Sequence, residues 1–176
     1  VAQHAVDRLG RRVTSGLQGD VEARHVHRRH PYGFGLDAPG KLRQQAFDPL
    51  LTKGARNYWK SHNFARLSDG AIDAIIEYAG KLPSPQCEIF IGTIGGQTAR
   101  VSPEAMAYSS RDAHYVMNVH GRWGSAGEDA HCIAWAREFF AASQPFASSG
   151  AYINFLTQDE TDRISFAYGA TYDRLV

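Results

Sequence analysis

The sequence predicts an α+β fold in which an antiparallel or mixed β-sheet carries helices packed on one face. Two observations lead to this class. Short segments rich in apolar and aromatic residues have the composition of strands, and they lie at residues 57–64, 88–94, 115–123 and 150–156. Two longer segments repeat apolar residues at helical spacing, at residues 68–82 and 128–142. Strands in succession with two long helical interruptions are typical of α+β domains.

The first predicted strand and helix lie together near the start of the patterned region. Asn57–Phe64 is a strand because aromatic and polar residues alternate along it. Ser68 is a good N-cap for the helix that follows. This helix extends to about Leu82, and Pro83 and Pro85 end it. Its apolar face comprises Ile72, Ile75, Ile76 and Ala79.

Three more strands and the remaining helices follow in order. Glu88–Ile94 is a strand that ends in a turn at Gly95-Gly96, Tyr115–Trp123 is a long strand, and Gly150–Leu156 is predicted as a further central strand. A helix over 128–142 separates the last two, with an apolar stripe of Ile133, Ala136, Phe139 and Phe140. Short helices are predicted at 164–168 and from 169 to the terminus.

Charge and composition exclude several classes of function. The 19 basic and 18 acidic residues give a net charge of +1, which creates no general attraction to nucleic acid or to a membrane surface. No apolar run approaches the roughly 20 residues that a membrane-spanning helix needs. Cys87 and Cys132 have no metal-binding spacing, so we expect two buried free thiols and a reducing, cytoplasmic compartment.

Residues 1–40 differ in composition from residues 41–176. They contain four of the eight histidines and six arginines, with few large apolar residues. We interpret them as an extended basic arm with a short helical piece near 4–13. His25, His27 and His30 lie among arginines that repel a cation, so a solvated arm is favoured over a metal site. We expect no metal in this protein.

Polar residues on the predicted strands are the candidate site. Asn118 and His120 lie two positions apart on one strand, and Tyr152 and Asn154 on another, so each pair shares a face of the sheet. Such side chains can hydrogen-bond a ligand, and a tyrosine can exchange a proton. The residues alone favour the alternative, which is a sheet face that is open to solvent.

Several segments resemble a known family of flavoproteins. Met106–Arg111 reads Met-Ala-Tyr-Ser-Ser-Arg, and Gly150–Phe155 reads Gly-Ala-Tyr-Ile-Asn-Phe. They are similar to the Thr-Ala-Phe-x-His-Arg block and the Tyr-x-Asn-Tyr strand of the berberine bridge enzyme-like oxidases, of the vanillyl-alcohol oxidase type, with Ser110 in place of the histidine. The resemblance to the C-terminal substrate domain of that family covers about residues 42–176. Further matching segments are 45–50, 58–61, 67–69, 95–96, 100–103, 168–169 and 172–176.

The resemblance implies an FAD-dependent oxidoreductase that oxidises an alcohol, amine or sugar by hydride transfer to the flavin, with O2 as the usual final acceptor. It implies that Tyr152 is a catalytic base or positioning hydroxyl, and that Asn154 and Tyr152 contact the flavin. Asn118 takes the place of a polar or acidic catalytic residue five positions before a tryptophan, where an amide would orient the substrate. The substrate would also contact three other residues, His120, Arg111 and Tyr108. Arg111 or Arg122 would supply the positive charge that a tyrosine base needs.

The resemblance leaves the FAD-binding domain missing from this chain. We therefore expect residues 41–176 to be the substrate-binding part of a larger or rearranged protein, inactive alone and completed by a separate flavin-binding domain or chain. The alternative is a stand-alone domain without redox activity that binds a small molecule or associates with itself. A sheet face that the flavin domain normally covers would favour a homodimer of the isolated chain.

Overall fold

The computed structural model describes residues 53–148 and 150–175. The arm predicted at residues 1–40, its short helix and the matching segment at 45–50 lie outside the described residues. The described part begins just before the first predicted strand.

Three strands form one antiparallel sheet. Their bounds are Arg56–Phe64 for β1, Glu88–Thr93 for β2 and Tyr115–Trp123 for β3. The strand order is β1-β3-β2, so β3 is central and is hydrogen-bonded on both sides. At its middle, Asn118 lies opposite Ser61 of β1 and Phe90 of β2. The predicted strands at these three places and the α+β class are confirmed.

Two helices pack on one side of this sheet, as the sequence predicts. Helix α1 is Asp69–Ala79, and the hydroxyl of Ser68 caps it by accepting the N–H of Ala71. It ends before the predicted Leu82: the Gly80 N–H still bonds to the Ile76 carbonyl, but the Lys81 N–H bonds to the Tyr78 carbonyl only three residues back, as in a 3-10 turn. Helix α2 is Asp129–Ser143.

The hydrophobic core lies between these helices and the sheet. Removing apolar side chains from water is the main stabilising term here, at roughly 25 cal/mol per Å². The largest fully buried apolar side chains are Trp123, Phe64, Phe139, Ile72, Met117 and Val119. The stripe predicted on α2 is only partly correct: Ala136 and Phe139 are in the core, whereas Ile133 and Phe140 are half-buried. Cys132 and Trp135, which the sequence analysis did not include in the stripe, are the other apolar residues of α2 that are buried.

The strand predicted at Gly150–Leu156 is wrong. Residues 153–155 form a 3-10 turn, closed by hydrogen bonds from the Phe155 N–H to the Tyr152 carbonyl and from the Leu156 N–H to the Ile153 carbonyl. The central strand β3 pairs with β1 and β2, and residues 150–156 pair with none of these three strands. Gly150 has a φ of 90°, which turns the chain away from an extended path. Neither Ile153 nor Phe155 joins the core cluster of the described residues.

The C-terminal part consists of short helical pieces. A 3-10 stretch at Gln158–Arg163 leads into α3 at Ile164–Tyr168, and a turn at Gly169–Thr171 leads into α4 at Tyr172–Leu175. The first predicted short helix is therefore confirmed, and the second begins as a 3-10 turn. Within residues 53–148 and 150–175, each helix is too short or too polar to cross a bilayer.

Candidate functional site

The sheet has one face toward the helices and one face away from them. Tyr115, Met117, Val119 and Trp123 belong to the core, so the alternation of β3 directs its even-numbered residues to the opposite side. The register of the neighbouring strands extends this opposite side, which we call the polar face. It comprises Asn57, Trp59, Ser61 and Asn63 of β1, Val116, Asn118, His120 and Arg122 of β3, and Glu88, Phe90 and Gly92 of β2.

Asn118 and His120 share the polar face, as the sequence predicts. Asn118 lies between Ser61 and Phe90, and His120 lies between Trp59 and Glu88. Asn118 is 7% exposed and His120 is 8% exposed, whereas Phe90 on the same face is 48% exposed. The middle of the polar face is therefore buried and its β2 edge is open to solvent, so the solvent-facing side that the residues alone favour is only partly correct.

Several buried polar atoms of the polar face lack hydrogen-bond partners. Ser61 and Asn63 are fully buried. The Ser61 hydroxyl, both amide atoms of Asn63, the Asn118 carbonyl oxygen and the Trp59 indole N–H have no partner among the described residues. Each buried polar group left unpaired costs roughly 1–3 kcal/mol. Buried polar groups are nearly always paired in folded proteins, so such a row indicates a place for a ligand or for ordered water.

His120 is held in a fixed orientation on this face. Its Nδ1 lies 3.1 Å from Glu88 Oε1 and its Nε2 lies 3.3 Å from Asn57 Oδ1. Its ring meets Trp59 edge to face, with 5.6 Å between the ring centroids. Because both ring nitrogens are engaged and the ring contacts Trp59, the position of His120 beside Asn118 is fixed.

A second group of predicted residues meets in the loops before β3 and after α2. The rings of Tyr108 and Tyr152 meet edge to face, with 6.2 Å between their centroids. Arg111 Cζ lies 4.9 Å from the centroid of the Tyr108 ring. Asn154 Nδ2 donates a hydrogen bond of 3.0 Å to Tyr152 Oη. We call these four residues the tyrosine cluster. Tyr152 and Asn154 thus meet through a turn and not through the strand that the sequence predicts.

Burial raises the pKa of Tyr108 above its ordinary value, and the Arg111 charge opposes that shift only in part. Tyr108 therefore keeps its proton at neutral pH. Its buried hydroxyl has no hydrogen-bond partner among the described residues. Tyr108 consequently offers an O–H donor that nothing in the described part of the chain accepts.

The polar face and the tyrosine cluster are neighbours. The Ser148 N–H donates a hydrogen bond of 2.8 Å to the Asn63 carbonyl, which brings the chain after α2 to the end of β1. Gly150 lies close to both groups: if residue 150 had a side chain, its Cβ would lie 2.1 Å from Ser110 Oγ and 3.7 Å from Asn63 Nδ2. A cleft of about 340 Å³ opens here, and Ser109, Ser110, Asp112, Gly150 and Phe166 are among its lining residues. The absence of a side chain at Gly150 thus permits close contact between the two loops.

Sequence reasoning missed the contribution of β1 and of Ser148. Trp59, Ser61 and Asn63 follow one another at every second position, which places them on one side of a strand. That alternation could have predicted that the three side chains share one side of β1, but it does not reveal which side of the strand is covered by helices. The unpaired hydroxyl of Ser148 lies in a loop, and no pattern in the sequence predicts its place.

The polar face fits a flat heteroaromatic ring better than a metal ion. Within the described part of the chain, no group of three or more His, Cys, Asp and Glu side chains is arranged to hold a metal ion. The unpaired atoms include a donor on Trp59, an acceptor on Asn118 and one of each on Asn63. A flavin ring presents both donors and acceptors at its edge, so these residues match its chemistry.

Comparison with known proteins places the fold among flavin enzymes. No family model matches the chain. A glycopeptide hexose oxidase, solved in complex with teicoplanin, is 25% identical with a TM-score of 0.62, and the match covers 69% of this chain and 28% of that one. Berberine bridge enzyme from Eschscholzia californica is 17% identical with a TM-score of 0.61, covering 69% of this chain and 29% of that one. An uncharacterised FAD-linked oxidoreductase of Bacillus subtilis, YgaK, is 27% identical over 109 residues, which are 62% of this chain and 24% of YgaK.

The resemblance inferred from the sequence is confirmed. The structural neighbours are berberine bridge enzyme-like FAD-linked oxidases, including a protein from Arabidopsis thaliana with a TM-score of 0.62. The chain spans about a quarter of the length of the proteins that it matches. The chain is therefore similar to one part of these proteins.

Proposed function

We propose that this chain supplies the substrate-binding wall of an FAD-dependent oxidoreductase similar to the berberine bridge enzyme-like oxidases, with the polar face toward the flavin and the substrate. The reaction would be the oxidation of an alcohol, amine or sugar, with O2 as the final acceptor. The hexose oxidase among the relatives supports this class of reaction. Small-molecule ligands named in related structures, teicoplanin and pregilvocarcin, support a site for a small organic substrate.

One observation carries the proposal, namely the row of unpaired, buried polar atoms on the polar face. A side of a sheet that only packed against protein would be apolar or fully hydrogen-bonded. Ser61, Asn63 and Asn118 are instead buried and have unused hydrogen-bonding atoms. A bound flavin or substrate that uses these atoms would recover the free energy that the unliganded fold lacks.

The residues divide into two roles in this proposal. When bound, FAD supplies the acceptor for the hydride that leaves the substrate carbon. Asn118 orients the substrate through its amide, and the fixed ring of His120 limits the substrate's position. In its deprotonated form Tyr152 accepts the proton that the substrate loses, and Asn154 holds the Tyr152 oxygen in place by donating the 3.0 Å hydrogen bond. Arg111, whose Cζ lies 4.9 Å from the centroid of the Tyr108 ring, contacts the substrate together with Tyr108 in this proposal.

Residues that hold the bulk of the FAD belong, in this proposal, to another domain or chain. Support comes from the relatives, of which this chain matches about a quarter. The chain alone would then oxidise nothing, and it would gain activity on joining its flavin-binding partner. The homodimer and the cytoplasmic location predicted from the sequence stay predictions.

The test compares two amide deletions in the flavin-containing protein that includes this chain. Asn118→Ala should lower kcat/KM by roughly 3- to 10-fold, which is the value of one lost hydrogen bond to substrate. Gln144→Ala, at an exposed position after α2, is the matched control and should leave kcat/KM unchanged. Asn118 Oδ1 has no hydrogen-bond partner among the described residues, so Asn118→Ala breaks no hydrogen bond of that atom, and the unfolding temperatures of both variants show whether the protein stays folded.

Equal kcat/KM for both variants would contradict the proposal. A second contrary result would be a flavin-containing protein in which Tyr152→Phe keeps full activity, because that result would remove the proton role of Tyr152. A purified chain that neither binds added FAD nor gains oxidase activity with any flavin-binding partner would favour the stand-alone, non-redox domain.

A further inference from the structure

Arg111 has an unusual environment within the tyrosine cluster. Its Nη1 donates a hydrogen bond of 2.9 Å to the Thr98 carbonyl, which fixes the guanidinium on one side. Its Nε and Nη2 are buried and have no hydrogen-bond partner among the described residues. A charged group that is buried without partners is costly, more so than a neutral one. The fold therefore holds a guanidinium with one whole edge unused.

No carboxylate neutralises this charge in the described part of the chain. The ion pairs that the described residues form with one another do not include Arg111. Asp112, the next residue, is exposed and lines the neighbouring cleft. By contrast, buried Lys60 is paired with both Asp159 and Glu160. The absence of a carboxylate partner at Arg111 is thus a property of this position and is not shared by Lys60.

The unused edge has a defined recognition chemistry. Nε–H and Nη2–H are parallel donors that together match the two oxygens of a carboxylate. The guanidinium stands over the Tyr108 ring, with 4.9 Å between Cζ and the ring centroid. The Tyr108 hydroxyl is a further buried donor without a partner. Three unused donors on two neighbouring side chains therefore favour an anionic oxygen ligand over a cationic or apolar one.

Aromatic rings surround this group of donors. Tyr152 meets Tyr108 edge to face and also meets Phe155 edge to face, with 5.0 Å between the last two centroids. Rings in this arrangement accept a flat partner at their faces or edges. A carboxylate attached to a planar ring would satisfy the donors and the aromatic surface together.

We infer that Arg111 and Tyr108 form a subsite for the carboxylate of an aromatic acid. The inference rests on the proposed function, because it names the class of substrate, or substrate substituent, that the oxidoreductase site binds beside its polar face. Arg111 binds both carboxylate oxygens through its free edge, and the Tyr108 hydroxyl donates to one of them. Binding removes the cost of the unpaired charge.

Benzoate and benzamide are suitable probes because they share a ring and differ in charge. Binding to the full chain, without flavin, is measured by calorimetric titration at low salt. Wild type should bind benzoate and should bind benzamide at least roughly 10-fold more weakly. Arg111→Met should weaken benzoate binding by roughly 10- to 100-fold. Arg100→Met removes an exposed arginine from the same region and should leave benzoate binding unchanged.

A second variant protects the test against misfolding. Tyr108→Phe removes only a hydroxyl that has no partner, so the fold should persist, and benzoate should bind roughly 3- to 10-fold more weakly. Wild type that binds neither probe, or that binds both equally, would overturn the inference. So would an Arg111→Met variant that is folded and binds benzoate as wild type does. These readouts need no flavin, so their failure is separate from the kcat/KM test of Asn118.

Discussion

Among single residues, His62 shows most clearly how burial changes a side chain. It lies on the helix-facing side of β1 and is 4% exposed. Its ring stacks on Phe140 with 4.0 Å between centroids, and its Nε2 lies 2.9 Å from the Phe140 carbonyl oxygen. Burial, together with the positive charge of Arg163, lowers the pKa of His62 to about 4. The hydrogen bond to the Phe140 carbonyl and the negative charge of Glu160 raise the pKa, but by less. The folded state therefore prefers the neutral ring.

Stability should accordingly fall as the pH drops from the ordinary histidine pKa toward the folded one. The unfolded chain binds a proton at His62 near pH 6.5, whereas the folded chain resists it until about pH 4. The stability that the neutral His62 ring contributes is fully present above the pKa of the unfolded chain, and it is lost as the pH falls from about 6.5 to about 4. Between about pH 7 and about pH 4.5 the loss due to His62 should be roughly 2 kcal/mol.

Urea unfolding of wild type and of His62→Phe at the two pH values measures this loss. The variant should show a smaller decrease in the free energy of unfolding than wild type does. His131→Phe is the matched control, because His131 is exposed on α2 and should leave the decrease unchanged. Identical pH dependence of wild type and His62→Phe would show that His62 does not contribute.

At the scale of elements, a network of charges attaches the C-terminal pieces to β1. Lys60 Nζ lies 2.9 Å from Asp159 Oδ1 and 3.2 Å from Glu160 Oε2. The Tyr58 hydroxyl donates a 2.6 Å hydrogen bond to Asp159, and Arg163 pairs with Glu160. The Lys60 and Glu160 side chains are only 7% and 4% exposed, so this is a mostly buried network. It fixes the stretch 158–163, which leads into α3, against the sheet.

Removing Lys60 should therefore destabilise the protein strongly. Lys60→Met leaves Glu160 buried with one cation fewer, which should cost about 2–4 kcal/mol in the free energy of unfolding. Lys81→Met breaks an exposed pair with Glu77 on α1 and should change the free energy by less than about 0.5 kcal/mol. Chemical denaturation of both variants checks the difference. Equal effects of the two substitutions would mean that burial does not strengthen the Lys60 network.

At the scale of the whole molecule, the two cysteines report on the contact between sheet and helices. Cys87 precedes β2, and Cys132 lies on α2; both are free and buried, as the sequence predicts. The Cys87 thiol donates a 3.3 Å hydrogen bond to the Arg122 carbonyl at the end of β3. Burial and the neighbouring Cys87 raise the pKa of Cys132 to about 11, and burial also raises that of Cys87. Neither thiol is exposed unless the helical layer separates from the sheet.

Thiol modification should consequently track global unfolding. With a disulfide reagent at mildly alkaline pH, both thiols should stay unreacted in the native protein and both should react in urea. Mass spectrometry of timed samples gives the number of labels per chain, and Cys87→Ala identifies the thiol that carries each label. Fast labelling of either thiol without denaturant would contradict a closed layer between α2 and the sheet.

Local patterns were sufficient for most of the secondary structure. The alternation in β1 and β3, the cap at Ser68 and the apolar periods of α1 and α2 all act within a few residues, so the sequence reveals them. Gly150–Leu156 shows the limit of this reasoning. Its apolar composition is that of a strand, but the φ of 90° at Gly150 and the 3-10 turn at Ile153–Phe155 take the chain out of an extended path.

The sequence by itself determined the α+β class, the polar pair on β3 and the resemblance to flavin oxidases, because each depends on residue type and short-range order. Only the tertiary structure decided that Trp59, Ser61 and Asn63 join Asn118 on one face of the sheet, that Tyr152 meets Asn154 through a turn, and that Arg111 has an unpaired edge. Hydrogen-bond satisfaction and burial depend on groups far apart in the chain, and only packing brings those groups together.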